Sequence, residues 1–125
     1  MNMHRSMMQV YVKESDKALE FYKKAFGAEV LCVHTDEDGK LIMHAELNVY
    51  GQVLAISEQM NNDTIAGNSM QFCLHLGDGK EDEVRKIYDT LKDSAEIQYP
   101  LSPCDWSTLM IGLIDKFGVN WCVFV

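Results

Sequence analysis

Residues 43–47 read Met-His-Ala-Glu-Leu, with one residue between His44 and Glu46. In an extended chain side chains alternate between faces, so this imidazole and this carboxylate point the same way. A carboxylate beside an imidazole can tune it as a general base, and the pair is the chain's best candidate for acid–base chemistry. The competing reading is two strand residues hydrogen-bonded to neighbours or solvent. The other histidines offer less. His75 lies beside Gly77 near a strand end, His34 near a hairpin tip and His4 in a terminal stretch. None of the four has the H-x-H or H-x-x-x-H spacing that specifies a metal site.

The thiols are the second reactive group. Cys32, Cys73, Cys104 and Cys122 show no C-x-x-C spacing, so they read as free thiols of a reducing compartment. A cavity-facing Cys73 or Cys122 could act as a nucleophile if its pKa were depressed. No Lys or Arg is adjacent to either in sequence, and inert packing is the alternative.

The elements that must position these groups come twice. Residues 7–12 form a strand, Ser15 is placed to cap a helix, and Ala18, Leu19, Tyr22, Ala25 and Phe26 make one helical stripe that Gly27 ends. "EVLCVHT" and "LIMHAELNVY" then read as a hairpin closed at Asp38-Gly39, and "QVLAIS" as a fourth strand. The polar stretch at about 59–69 is a linker. After it the order repeats: strand "MQFCLHL", a helix with Val84, Ile87, Tyr88 and Leu91 inward, and three further strands. Asp78 with Glu81 resembles a capping box, while Pro100 and Pro103 limit the first of those strands. "NVYGQVLAIS" at 48–57 and "DKFGVNWCVFV" at 115–125 share an Asn or Asp, an aromatic two residues on, a Gly and an apolar run. The reading is a single α+β domain over 1–125, with one β-α-β-β-β module at about 7–58 and another at about 70–125.

Bulk properties narrow the partners. With 19 acidic and 11 basic residues the net charge is −8, which argues against nucleic acid and anionic membrane. The apolar runs are strand-sized, too short to span a bilayer. The start "MNMHRSMMQVYV" lacks the apolar core and cleavage site of a secretory signal, so a cytoplasmic protein is expected.

The doubled module, with "ALEFYKKAFGAEV" at 18–30, "MHAELNVYGQVLAISE" at 43–58 and the terminal "DKFGVNWCVFV", resembles the vicinal oxygen chelate superfamily. That superfamily includes glyoxalase I, bleomycin-resistance proteins and extradiol dioxygenases, and the details are similar to its PhnB-like branch. The resemblance implies eight strands forming a cup with helices outside, a small-molecule ligand within, and a homodimer. It also places His44 and Glu46, as H-x-E-L, in the cavity. Alternation puts Gln9, Tyr11, Gln71, Cys73, Cys122 and Phe124 on inward faces, and Trp106 in a loop near the mouth. For Trp106, a pocket wall and a loop anchor are equal readings.

The resemblance further implies metal ligands on the first and last strands of each module, typically His or Gln and then Glu. Carried over, these positions hold Gln9, Ala55, Gln71 and Cys122. Alanine cannot ligate, and two amides with one thiol suit neither a hard cation nor zinc. No cofactor is therefore expected there, although a divalent metal on His44 and Glu46 stays open as an alternative. The expected function is sequestration of a small molecule in a metal-free cup, of the resistance type. The alternative is a lyase, isomerase or transferase using His44 and Glu46 on a small oxygen-rich metabolite.

Overall fold

The computed structural model describes residues Met1–Val125 and places them in two compact units, Met1–Thr64 and Ile65–Val125. The first contains β1 (Met8–Val12), α1 (Ser15–Phe26), β2 (Glu29–Thr35), β3 (Ile42–Val49) and β4 (Gln52–Glu58). The second contains β5 (Phe72–His75), α2 (Glu81–Leu91), β6 (Glu96–Cys104), β7 (Ser107–Ile114) and β8 (Asn120–Phe124). Each sheet has the same mixed topology, β1-β4-β3-β2 and β5-β8-β7-β6. In each, the first strand runs parallel to the fourth and the other pairs are antiparallel. The expected α+β class and the doubled module are both present.

The helix stripe read from spacing is the buried one. Ala18, Leu19, Tyr22, Ala25 and Phe26 are all within the core, and Gly27, at φ 58, ends the helix in the left-handed region. Facing them are Val10, Val12, Ala45, Leu47, Val49, Leu54 and Ile56. The sheet's other face is left for polar side chains. In the second unit Val84, Ile87 and Leu91 of α2 are fully buried, and so are Ile111, Leu113, Trp121 and Val123 of β7 and β8.

The repeated turn residues have repeated jobs. Asn48 Oδ1 accepts from the Gly51 amide at 2.8 Å, and Tyr50 and Gly51 both have positive φ, 51° and 89°, as a tight hairpin requires. Asp115 holds the wider β7–β8 turn by accepting from the Phe117 and Val119 amides at 2.8 and 3.1 Å. Its second oxygen accepts from Trp121 Nε1 at 2.9 Å.

Three local expectations differ in detail. Ser15 does not cap its own helix. Its hydroxyl donates to Glu58 Oε1 at 2.8 Å and accepts from the Ile42 amide at 2.9 Å, while its own amide donates to that same Glu58 oxygen at 3.0 Å. The cap is thus a carboxylate from the far end of β4. Asp78 and Glu81 form no capping box, since Lys80 occupies the cap position with no side-chain bond. Pro100 and Pro103 lie within β6 because β6 is an edge strand with irregular register, where a missing amide donor costs no ladder bond.

These bonds give Ser15 and Asp78 opposite forecasts. Ser15→Ala removes one donor to a buried carboxylate and the acceptor of a buried amide, so urea unfolding should show a loss of about 2 kcal/mol. Asp78→Ala should stay within about 0.5 kcal/mol of the parent.

Candidate functional site

The polar face of the first sheet carries the chain's densest chemistry. Gln9, Ala55, Glu46 and Cys32 stand in one cross-strand row, through the pairs Gln9↔Ala55, Glu46↔Ala55 and Cys32↔Glu46. His44 lies two residues before Glu46 on the same side, and its Nε2 is 2.9 Å from Glu46 Oε2. The geometry inferred from the H-x-E spacing is therefore a formed hydrogen bond.

Glu46 is 8% exposed, and its charge is met by a residue that sequence reasoning left in the terminal stretch. Arg5 donates from Nη1 to Oε1 at 2.7 Å and from Nη2 to Oε2 at 3.0 Å, a two-pronged pairing. Oε2 thus serves both Arg5 and His44. The Arg5 guanidinium, and after it the His44 imidazole, hold the Glu46 carboxyl at about 2, well below its ordinary 4.5. An ionised Glu46 can only accept, so His44 Nε2 carries the proton in this bond. When the ring is neutral, Nδ1 is then its acceptor.

Cys32 is the second residue that sequence reasoning missed. Its Sγ, a ring nitrogen of His44 and a carboxylate oxygen of Glu46 all lie within 4.8 Å of one another. A plain count back from the Thr35–Ile42 pair would set Cys32 opposite Ala45. A bulge at Met43 shifts the register by one and brings Cys32 opposite Glu46. The same bulge leaves Ile42 buried and Met43 38% exposed, reversing the alternation expected at the start of β3.

The remaining candidates divide between the two units. In the first, the Gln9 amide donates to Ser57 Oγ at 3.1 Å, and Tyr11, opposite Ser57, is 59% exposed. In the second, Gln71 donates to Asn120 Oδ1 at 3.2 Å, and Cys73 pairs in register with Cys122. Burial, reinforced by the neighbouring Cys73, pushes the Cys122 thiol up to about 12, so at neutral pH it is a poor nucleophile. Phe124 stacks on His75 with ring centres 4.5 Å apart. Trp106 sits in the β6–β7 turn, 68% exposed, on a cleft of about 370 Å³ shared with Asp78, Cys104 and Thr108.

The metal implied by the family resemblance does not fit its carried-over positions. Ala55 has no donor atom, Cys122 resists deprotonation, and Gln9 and Gln71 offer only neutral amide oxygens to a hard cation. No reaction step is drawn through such a metal.

Residues 5–123 match the family model of the Glyoxalase/Bleomycin resistance protein/Dioxygenase superfamily, and the chain belongs to that family. Its fold is PhnB-like. A putative 3-demethylubiquinone-9 3-methyltransferase, the PhnB protein of Bacillus cereus, is 18% identical with a TM-score of 0.81, over 97% of this chain and 98% of that one. A Pseudomonas aeruginosa protein is 20% identical with a TM-score of 0.78, over 98% of this chain and 97% of that one. The genomically encoded fosfomycin resistance protein of Listeria monocytogenes is 16% identical with a TM-score of 0.71, over 99% of this chain and 93% of that one. At these identities the likeness is one of fold. No curated protein sequence gives a significant match. No helix is long and apolar enough to cross a membrane.

The clasp on Glu46 has a pH signature. A depressed carboxylate pKa contributes stability that is complete above the ordinary value of 4.5 and is lost as pH falls through about 2. Urea unfolding of the parent and of Glu46→Gln, compared across that window, should show the parent's advantage shrinking towards the acid end. A difference that stays constant with pH would remove the charged clasp from the account.

Proposed function

We propose that this chain binds a small molecule, apolar or aromatic with a hydrogen-bonding group, on the polar face of its first sheet and holds it without turnover. The observation that carries this reading is the Arg5–Glu46–His44 unit. Both oxygens of Glu46 are engaged and its pKa is held far below neutrality, so it is a poor proton shuttle. What the unit offers is recognition: a fixed imidazole with Nδ1 able to accept, on the same sheet as the exposed Tyr11 ring. The unfit donor set at Gln9, Ala55, Gln71 and Cys122 supports binding that does not depend on a metal there. The proposal further includes Gln71, Cys73, Cys122, Phe124 and Trp106 as ligand contacts on the second unit itself, a homodimer and a cytoplasmic location.

The fold likeness adds support by analogy. A mutant of the Listeria fosfomycin resistance protein was solved with Mn(II) and 1S,2S-dihydroxypropylphosphonic acid, a small oxygen-rich molecule. A catalytic reading is favoured by one observation, the 2.9 Å His44–Glu46 bond, which leaves a base at Nδ1. In that reading His44 takes a proton from a small oxygen-rich metabolite while Glu46 fixes the ring.

A panel of small aromatic and oxygen-rich compounds, screened by thermal shift and followed by calorimetry, separates the two. Binding should saturate with the compound recovered unchanged by mass spectrometry. His44→Ala should weaken it at least tenfold, about 1.4 kcal/mol, in a chain that circular dichroism shows to be folded. Recovery of a converted compound that depends on His44 would establish the enzyme instead.

A further inference from the structure

Three chemically different donors converge on the first sheet, and the family's carried-over ligand positions do not include any of them. Cys32 Sγ, a His44 nitrogen and a Glu46 oxygen lie within 4.8 Å of one another. In a tetrahedral zinc site with bonds near 2.0–2.3 Å, neighbouring donors stand about 3.5 Å apart. The longest edge of this triangle therefore needs to close by roughly 1 Å, within reach of side-chain rotation. The scaffold is already set, because Cys32 and Glu46 are a register pair and His44 shares their side of the sheet.

The position a cation would take is now held by a cation. Arg5 covers both Glu46 oxygens, yet it comes from the segment before β1, which has no regular structure, and its side chain is 44% exposed. The guanidinium can therefore move into water when a divalent cation offers Glu46 a stronger charge, at the cost of its two hydrogen bonds. By contrast, Glu46 and half-buried Cys32 are held by the sheet.

We propose that Cys32, His44 and Glu46 form a three-donor site for a thiophilic divalent cation of the zinc type, and that the cation expels Arg5 from Glu46. The mixed sulfur, nitrogen and oxygen set selects zinc or cobalt over magnesium, calcium or manganese. Binding releases the Cys32 proton to solvent. The imidazole ligates through Nε2, the nitrogen facing Glu46, and the proton that Nε2 held passes through solvent to Nδ1. Arg5 leaves as a solvated guanidinium, its charge unchanged. A fourth position is left for water or another donor, as in sites with three protein ligands. The site does not depend on the ligand-binding reading above.

The test uses the full chain after chelator treatment, titrated with Co²⁺ by absorption and with Zn²⁺ by calorimetry. One cation per chain should bind, with a thiolate-to-cobalt charge-transfer band and the intense visible bands of four-coordinate Co²⁺. Cys32→Ser should abolish the charge-transfer band. Arg5→Ala should bind Zn²⁺ about tenfold tighter, because a competitor has gone. The proposal is overturned if the band survives Cys32→Ser and disappears in Cys73→Ser or Cys122→Ser. It is equally overturned if Arg5→Ala leaves affinity unchanged or weakens it. Should Arg5→Ala fail to fold, Arg5→Gln carries the same expectation with an amide able to donate to Glu46.

Discussion

A carboxylate with only 8% of its surface exposed cannot remain ionised without compensation, and Glu46 is the group around which the first unit's polar face is organised. Strand alternation turns its side chain away from α1, because Ala45 and Leu47 on either side of it belong to the core. Once there, it needs a cation, and Arg5 supplies one through two hydrogen bonds. Its shared oxygen then fixes the His44 ring. Orientation of the imidazole, the unsuitability of Glu46 as a base and the anchoring of the segment before β1 all follow from this one buried charge.

The two modules show how one topology can present different chemistry. Their sheets have equivalent strand orders, and their last hairpins are closed by an Asn or Asp accepting from turn amides. On the polar face of the first sheet the paired positions hold Glu46, Ala55 and Gln9. On the second, Cys122 stands between Gly112 and Cys73, with no carboxylate in the row. The Cys122 thiol, raised to about 12 by burial, behaves as packing with a weak dipole. The charged chemistry is thus concentrated in one copy, although both copies use the same scaffold.

Much of the fold was legible because it depends on local signals. The α1 stripe, Gly27, the Tyr50-Gly51 turn and the order of elements all follow from periodicity and turn chemistry within a few residues. The His44–Glu46 pairing was legible for the same reason, since a spacing of two on a strand fixes direction. Arg5 and Cys32 were not. Arg5 reaches Glu46 across 41 positions of sequence from a segment with no periodicity to read. Cys32 depends on a bulge at Met43, and a single-residue shift in register changes which side chains meet. Ser15 shows the same limit: a helix-start serine looks like a cap, but its partner Glu58 lies 43 residues on.

The most direct measurement is the ¹³C chemical shift of the Glu46 side-chain carboxyl, followed by NMR as pH is lowered in chelator-treated protein. If the Arg5 and His44 bonds organise this face, the carboxyl should stay ionised until about pH 2. An inflection near the ordinary value of 4.5 would mean that Glu46 is not clasped in solution, and the arrangement built on it would fall.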